Sequence, residues 1–158
     1  MVDGDFLPSH PVTEESFASA GADIPLLIGS NLNEWNFFPA QEQGEQVSQE
    51  LTDAVRAAYP GKTELTAGQV DTLIRLPMLK IMSHKADQNG APVYAYLFTY
   101  GMSFHGAEIP YVFRNTEDTL EEQAMADQLS QVWVSFARTG IPGRDGIPAC
   151  EPYTRESG

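Results

Sequence analysis

Residues 93–100 carry bulky side chains on both faces, a pattern that suits an interior strand and not a solvent-facing one. Successive side chains of an extended chain point to opposite sides. Tyr94, Tyr96, Phe98 and Tyr100 therefore line one face, and Val93, Ala95, Leu97 and Thr99 the other. β-Branched and aromatic residues are the ones a pleated surface favours. A strand with apolar groups on both sides belongs in a sheet covered on both sides, as in α/β architectures. Residues 24–28 (Ile-Pro-Leu-Leu-Ile) are short, continuous and apolar, and read as a second such strand.

Helical spacing fills much of the remainder. Val47, Leu51, Val55 and Ala58 recur at helical intervals between Gln46 and Tyr59, and Pro60-Gly61 stops the run. Thr66-Ala67-Gly68-Gln69 reads as a capping box that opens a stretch with Val70, Leu73 and Ile74 inward. Pro77 should break or kink it, with a further helix from Met78 to Lys85 that ends by Asn89-Gly90. Thr119-Leu120-Glu121-Glu122 is another capping box. The helix it opens has the apolar stripe Met125, Leu129, Val132, Trp133 and Phe136, read as a packing face, and ends at Gly140 and Pro142. Residues 1–23 carry turn formers and no clear periodicity, and neither an internal repeat nor a low-complexity tract occurs.

The chain of 158 residues suits one domain, and 42% apolar content with 10% aromatics argues against wholesale disorder. Yet two strands and about four helices make a poor independent α/β domain, because a doubly wound sheet needs more strands to cover its helices. The organisation therefore suggests part of a larger fold. Strands that expect neighbours leave apolar edges, so the chain by itself is expected to self-associate or to be marginally stable. The net charge of −13 is concentrated early: residues 1–60 hold ten acids and one base. Such a surface repels phosphate backbones, which excludes nucleic acid as the expected partner. No apolar run approaches a membrane span, and no basic-then-apolar leader opens the sequence. The sequence leaves the compartment open. Cys150 is the single cysteine and reads as an ordinary small apolar residue. No cysteine–histidine cluster, phosphate-binding loop or calcium loop occurs, so neither metal nor cofactor is expected.

Each strand-like run delivers one reactive residue on the loop that follows it. Glu34 follows the first through Gly29-Ser30-Asn31-Leu32-Asn33, and His105 follows the second through Gly101-Met102-Ser103-Phe104. In doubly wound sheets, functional groups gather on loops beyond the carboxyl ends of strands. A carboxylate followed by an imidazole matches the last two members of a Ser…Asp/Glu…His hydrolase triad. In such a triad the imidazole is the base, and the carboxylate fixes its tautomer and stabilises the imidazolium. The nucleophile of that order should come first, on a Gly-x-Ser-x-Gly turn, and no such pentapeptide is present. Ser103 lies near His105, but Gly101-Met102-Ser103-Phe104-His105 lacks the second elbow glycine and is rejected as nucleophile. Glu108 competes with Glu34 as acid, but so close a loop neighbour rarely reaches the far ring nitrogen, and a structural hydrogen-bonding role is favoured. His10 and His84 match no motif and read as surface residues.

The local words also carry a family likeness. Residues 24–38, Ile-Pro-Leu-Leu-Ile-Gly-Ser-Asn-Leu-Asn-Glu-Trp-Asn-Phe-Phe, resemble the acid-loop segment of type B carboxylesterases, the cholinesterase and para-nitrobenzyl esterase family. Residues 105–113, His-Gly-Ala-Glu-Ile-Pro-Tyr-Val-Phe, resemble that family's histidine segment. Asp3-Gly4-Asp5-Phe6-Leu7-Pro8 and residues 133–142 are similar to its flanking motifs, and all four blocks stand in the family's order. A departure lies near Pro152-Tyr153, where Cys150 stands close by and relatives often carry an aromatic.

The resemblance implies the carboxyl-terminal part of an α/β-hydrolase fold, with a few parallel strands and several helices, across residues 1–158. It implies Glu34 as triad acid and His105 as general base of a serine esterase acting on small carboxylic esters. The serine and a glycine-rich oxyanion loop would lie in a missing amino-terminal part of the same protein, leaving this chain inactive alone. Phe37 and Phe38 resemble aromatics that line the family's substrate gorge, and ordinary core burial is the competing reading for each. Relatives that have lost catalysis act as adhesion or binding proteins, and this is the alternative function. Retention of both Glu34 and His105 argues against it.

Overall fold

The computed structural model describes residues 4–5, 21–34, 57, 74–116 and 119–156. Two strands, β1 (Leu26–Asn31) and β2 (Val93–Phe98), pair in a two-stranded sheet. The Leu26 N–H donates to the Pro92 carbonyl at 3.0 Å, and the Leu32 N–H to the Phe98 carbonyl at 2.9 Å. Both bonds join residues 66 apart (26 to 92, 32 to 98), so the strands run parallel in one unbroken register.

β1 begins and ends later than its composition suggests. Gly29-Ser30-Asn31 reads locally as a turn, but the ladder to β2 carries it as strand. Gly29 is required there by close approach. A Cβ built on it would lie 2.4–2.5 Å from three ring atoms of Tyr96. A glycine inside a strand often marks such a contact. β2 is shorter than residues 93–100, since Thr99 and Tyr100 leave the ladder. Among the described residues β2 pairs with β1 alone. Successive strand carbonyls point to opposite edges, and on the edge away from β1 the Val93 carbonyl accepts the Tyr153 N–H at 2.8 Å.

Three helices complete the described elements: α1 (Leu76–Asp87), α2 (Ile109–Val112) and α3 (Leu120–Thr139). Pro77 is the second residue of α1 and follows the π-helical pair Ile74-Arg75, so it stands where the helical hydrogen-bonding pattern changes, as a proline expected to break or kink a helix does. Of the expected helices at 46–59 and from Thr66 to Pro77, most lies outside the described residues; Ala57 is helical, and Ile74 and Arg75 form a π-helical turn that runs into α1. The Thr119 box forms as its spacing requires: Thr119 Oγ1 accepts the Glu122 N–H at 3.1 Å and donates to Glu122 Oε2 at 2.9 Å. Gly140 closes α3 with φ +75°, and its N–H donates to the Phe136 carbonyl at 2.8 Å. The most buried residues of α3 are Ala126 and Ser130, not the large members of its apolar stripe. Met125, Leu129, Val132, Trp133 and Phe136 are half-buried. No helix among the described residues is long and apolar enough to cross a membrane.

The chain divides into two compact units. One comprises Met1–Ile28, Met78–Ala95 and Gln131–Gly158. Here Tyr94 meets Phe136 edge-on at 6.3 Å, and Lys85, only 3% exposed, donates from Nζ to the carbonyls of Gly21 (2.7 Å) and Ala22 (2.8 Å). Burial pushes the Lys85 ammonium below its ordinary value, and nearby Asp23 opposes that shift. Arg155 grips Asp87 with two parallel hydrogen bonds, which hold the Asp87 carboxyl below its ordinary value. Cys150 is half-buried, and burial with the neighbouring Glu151 charge pushes its thiol up, in keeping with an inert residue. His84, in the last turn of α1, is half-buried and not fully at the surface. The second unit comprises Gly29–Pro77 and Tyr96–Ser130. There Tyr111 packs on Phe98 and Tyr100 at centroid distances of 5.6 and 5.4 Å.

Candidate active site

Glu34 and His105, both in the second unit, stand just past the carboxyl ends of β1 and β2. In the parallel register the Leu26 and Leu32 N–H groups face β2, so the Asn31 N–H faces away from it. That donor is satisfied by Glu34, whose Oε1 folds back to accept it at 2.7 Å. The turn at Leu32-Asn33 thereby returns the carboxylate over the strand end, where Glu34 is only 5% exposed.

The second loop is built by a short excursion. After the Leu32–Phe98 bond, the next contact joins the Asn33 N–H to the Ser103 carbonyl at 2.9 Å. Residues 99–102 bulge out between these two pins. Gly101 and Ser103 both take positive φ (+60° and +48°), and Ser103, fully buried, donates from Oγ to the Tyr100 carbonyl at 3.1 Å. The Asn33 side-chain amide holds the Met102 carbonyl at 2.6 Å. Phe104 then bridges to Asn33 in parallel sense, and His105 follows at once.

The two loops meet at one bond. Glu34 Oε2 lies 2.5 Å from His105 Nδ1, with the imidazole side chain 52% exposed. A carboxylate can only accept, so Nδ1 carries the proton of a neutral ring and Nε2 is the acceptor nitrogen. Glu34 thus has both oxygens engaged, one by backbone and one by the imidazole, which compensates its burial. Glu108 does not take this place. Its Oε2 accepts from Asn31 Nδ2 at 2.5 Å. Tyr96 lies beside both acids, and its phenol is pushed up to about 12 by burial and by the charges of Glu108 and Glu34. Ser103, buried and donating to carbonyls, presents no hydroxyl for attack. A cleft of about 480 Å³ lined by Phe98, Tyr100, Phe104 and Tyr111 lies against the histidine loop. Phe37, Phe38 and His10 lie outside the described residues. Among the described residues no cluster of three or more histidine, cysteine or acidic side chains could hold a metal.

Two features of this region escaped the sequence: the four-residue helix α2 that follows the histidine loop, and the role of Asn31. Pro110 in the first turn of α2 was the available signal for the former.

The sequence profile of the Carboxylesterase family matches residues 61–158. The para-nitrobenzyl esterase of Bacillus subtilis (strain 168) is 32% identical over 190 residues, covering 99% of this chain and 38% of that protein. The cocaine esterase of Homo sapiens is 27% identical over 206 residues, covering 99% of this chain and 36% of that protein. Among solved structures, a PNB esterase superposes with a TM-score of 0.71 at 27% identity, over 98% of this chain and 37% of its own. A carboxylesterase of Geobacillus stearothermophilus gives 0.63 at 29% identity, over 98% and 39%. The chain therefore spans little more than a third of the length of the relatives it matches.

Proposed function

The chain belongs to the carboxylesterase family and holds part of an α/β-hydrolase fold, and from that premise we propose that it supplies the acid and the base of a serine esterase. Glu34 is the acid, His105 the base, and the substrate is a small carboxylic ester. The nucleophilic serine comes from a segment outside these 158 residues, since no Gly-x-Ser-x-Gly turn occurs in them. The observation that supports this reading best is the 2.5 Å bond between buried Glu34 and His105 Nδ1.

The chemistry follows from that geometry. With the proton on Nδ1, Nε2 takes the serine proton as the hydroxyl attacks the ester carbonyl. The ring becomes an imidazolium, and the Glu34 charge beside it lowers the energy of that state. The Asn31 N–H keeps Glu34 from swinging away as the charge forms. The imidazolium then protonates the departing alcohol, and water releases the acyl group by the same route. Phe37 and Phe38, three and four residues past Glu34, belong to the same proposal as residues lining the substrate site.

Two assays test it. The 158-residue chain alone should hydrolyse short activated esters no faster than free imidazole, and an organophosphate should label none of its serines. In the longer protein carrying this segment, Glu34→Gln should lower kcat by roughly 10⁴-fold and His105→Ala by more, with KM little changed. Efficient turnover by the chain alone, or full activity in either variant, refutes the proposal.

A further inference from the structure

Asn31 contacts three parts of the two loops at once, yet it touches no atom that reacts. Its backbone N–H holds Glu34 Oε1 at 2.7 Å. Its side-chain Nδ2 donates to the Phe104 carbonyl at 2.9 Å and to Glu108 Oε2 at 2.5 Å. Phe104 immediately precedes His105, and Glu108 follows it by three residues, so the two amide bonds seize the histidine loop on both sides of the imidazole. The side chain is 1% exposed and sits at the end of β1, where the strand ladder fixes its backbone.

The orientation of the amide is not arbitrary. Reversed, its oxygen would face a carbonyl and a carboxylate, two acceptors, and both bonds would be lost. A donor pair at this spot is therefore required, which neither aspartate nor leucine can supply. Charge-assisted bonds to a carboxylate are about twice as strong as neutral ones, so the Glu108 arm is the firmer. A loop held only by its two ends could rotate the imidazole by small amounts, and misplacement of about 1 Å at a reacting group costs on the order of 10²-fold in rate.

We propose that Asn31 is a positioning residue, a clamp that sets the distance between the acid loop and the histidine loop and thereby fixes the Nδ1–H tautomer of His105. The proposal rests on the Glu34–His105 reading above and adds to it the part that holds the pair in register. Glu108 serves here as the clamp's anchor and not as an acid of the reaction.

The test reads the imidazole directly and needs no catalysis. Long-range ¹H–¹⁵N correlation spectra of the ¹⁵N-labelled chain resolve its three histidines, with His105→Asn assigning the signal of interest. All spectra are recorded at one alkaline pH. In the unmodified chain His105 should show the pattern of a single Nδ1–H tautomer. In Asn31→Ala, and in Asn31→Asp, which keeps the size but cannot donate, that pattern should be lost to the average of two tautomers, with the other two histidines unchanged. Glu108→Gln keeps an acceptor for Nδ2 and should retain the pattern. If Asn31→Ala does not give the dispersed amide spectrum of a folded chain, Glu108→Leu cuts the same strut without touching β1 and should lose the pattern instead. Survival of the single tautomer in folded Asn31→Ala, or in Glu108→Leu, overturns the clamp alone. Its absence from the unmodified chain overturns the Glu34–His105 pairing and the clamp with it.

Discussion

Replacing Gly29 by alanine tests its close approach to the Tyr96 ring across the sheet. The new Cβ would stand 2.4, 2.4 and 2.5 Å from Cε1, Cζ and Cδ1 of Tyr96, against an ordinary carbon–carbon contact of about 3.5–4.0 Å. At least an ångström must be recovered, by turning the tyrosine or by pushing β1 from β2. Either route is resisted. The phenol lies against burial and two carboxylates, and the strand is bonded to β2 on both sides of residue 29. Overpacking of this kind costs about 1–3 kcal/mol. Taking about 2 kcal/mol, a chain of this length should lose about 4–8 °C in Tm. The sign should then invert when the ring is removed. Gly29 is extended, with no positive φ, so alanine fits its backbone and should stabilise by about 0.5 kcal/mol through the unfolded state. Thermal unfolding of Gly29→Ala, Tyr96→Ala and the double variant measures the coupling. If Gly29→Ala leaves Tm unchanged, or costs the same with and without the Tyr96 ring, the close approach does not exist as described.

Two further outcomes follow from other contacts. Lys85→Met strips the Gly21 and Ala22 carbonyls of their ammonium donor and should destabilise the chain by about 2–4 kcal/mol in chemical denaturation. Amide exchange at Ala91, whose N–H donates to Ala22, should quicken; a change below about 0.5 kcal/mol would refute a structural role for the lysine. Tyr96, with its phenol raised from 10 to about 12, should be the last tyrosine to ionise in an absorbance titration. Because the folded value lies above the unfolded one, its contribution is intact below pH 10 and is lost as pH rises from 10 to about 12. The full shift corresponds to at most about 2.7 kcal/mol, and solvent screening at a half-buried phenol reduces this to about 1 kcal/mol. Tyr96→Phe should flatten the alkaline loss, and an unchanged slope would count against this environment.

What the sequence made legible, and what it hid, divides along the range of the interactions. Both ends of α3 were readable because a capping box and a helix-closing glycine act within four residues. Pro77 marked the change from the π-helical pair Ile74-Arg75 to α1 for the same local reason, although α1 begins at Leu76 and not at Met78. The strands were found but their limits were not. Gly29-Ser30-Asn31 carries turn chemistry, and only pairing with a strand 66 residues away overrides it. The pairing of Glu34 with His105 was legible because each follows a strand-like run, on loops at the same end of the sheet. Asn31 was not visible. In Gly-Ser-Asn-Leu-Asn it looks like one more turn former, and its side-chain bonds reach residues 73 and 77 positions on. Lys85 was hidden likewise. It reads as a solvated base in a helix's last turn, and its burial depends on carbonyls more than sixty residues earlier.

The excursion at residues 99–102 has a consequence for how such a protein can diversify. It is anchored before by the Leu32–Phe98 bond and after by the Asn33–Ser103 bond, so its length is uncoupled from the aim of the imidazole beyond it. Met102, near its tip, is exposed. Insertions or exchanges between those anchors can reshape the surroundings of the two loops while the acid and the ring stay where they are. New surfaces beside the Glu34–His105 pair can thus arise by drift in a tolerant segment, with the pair itself inherited intact.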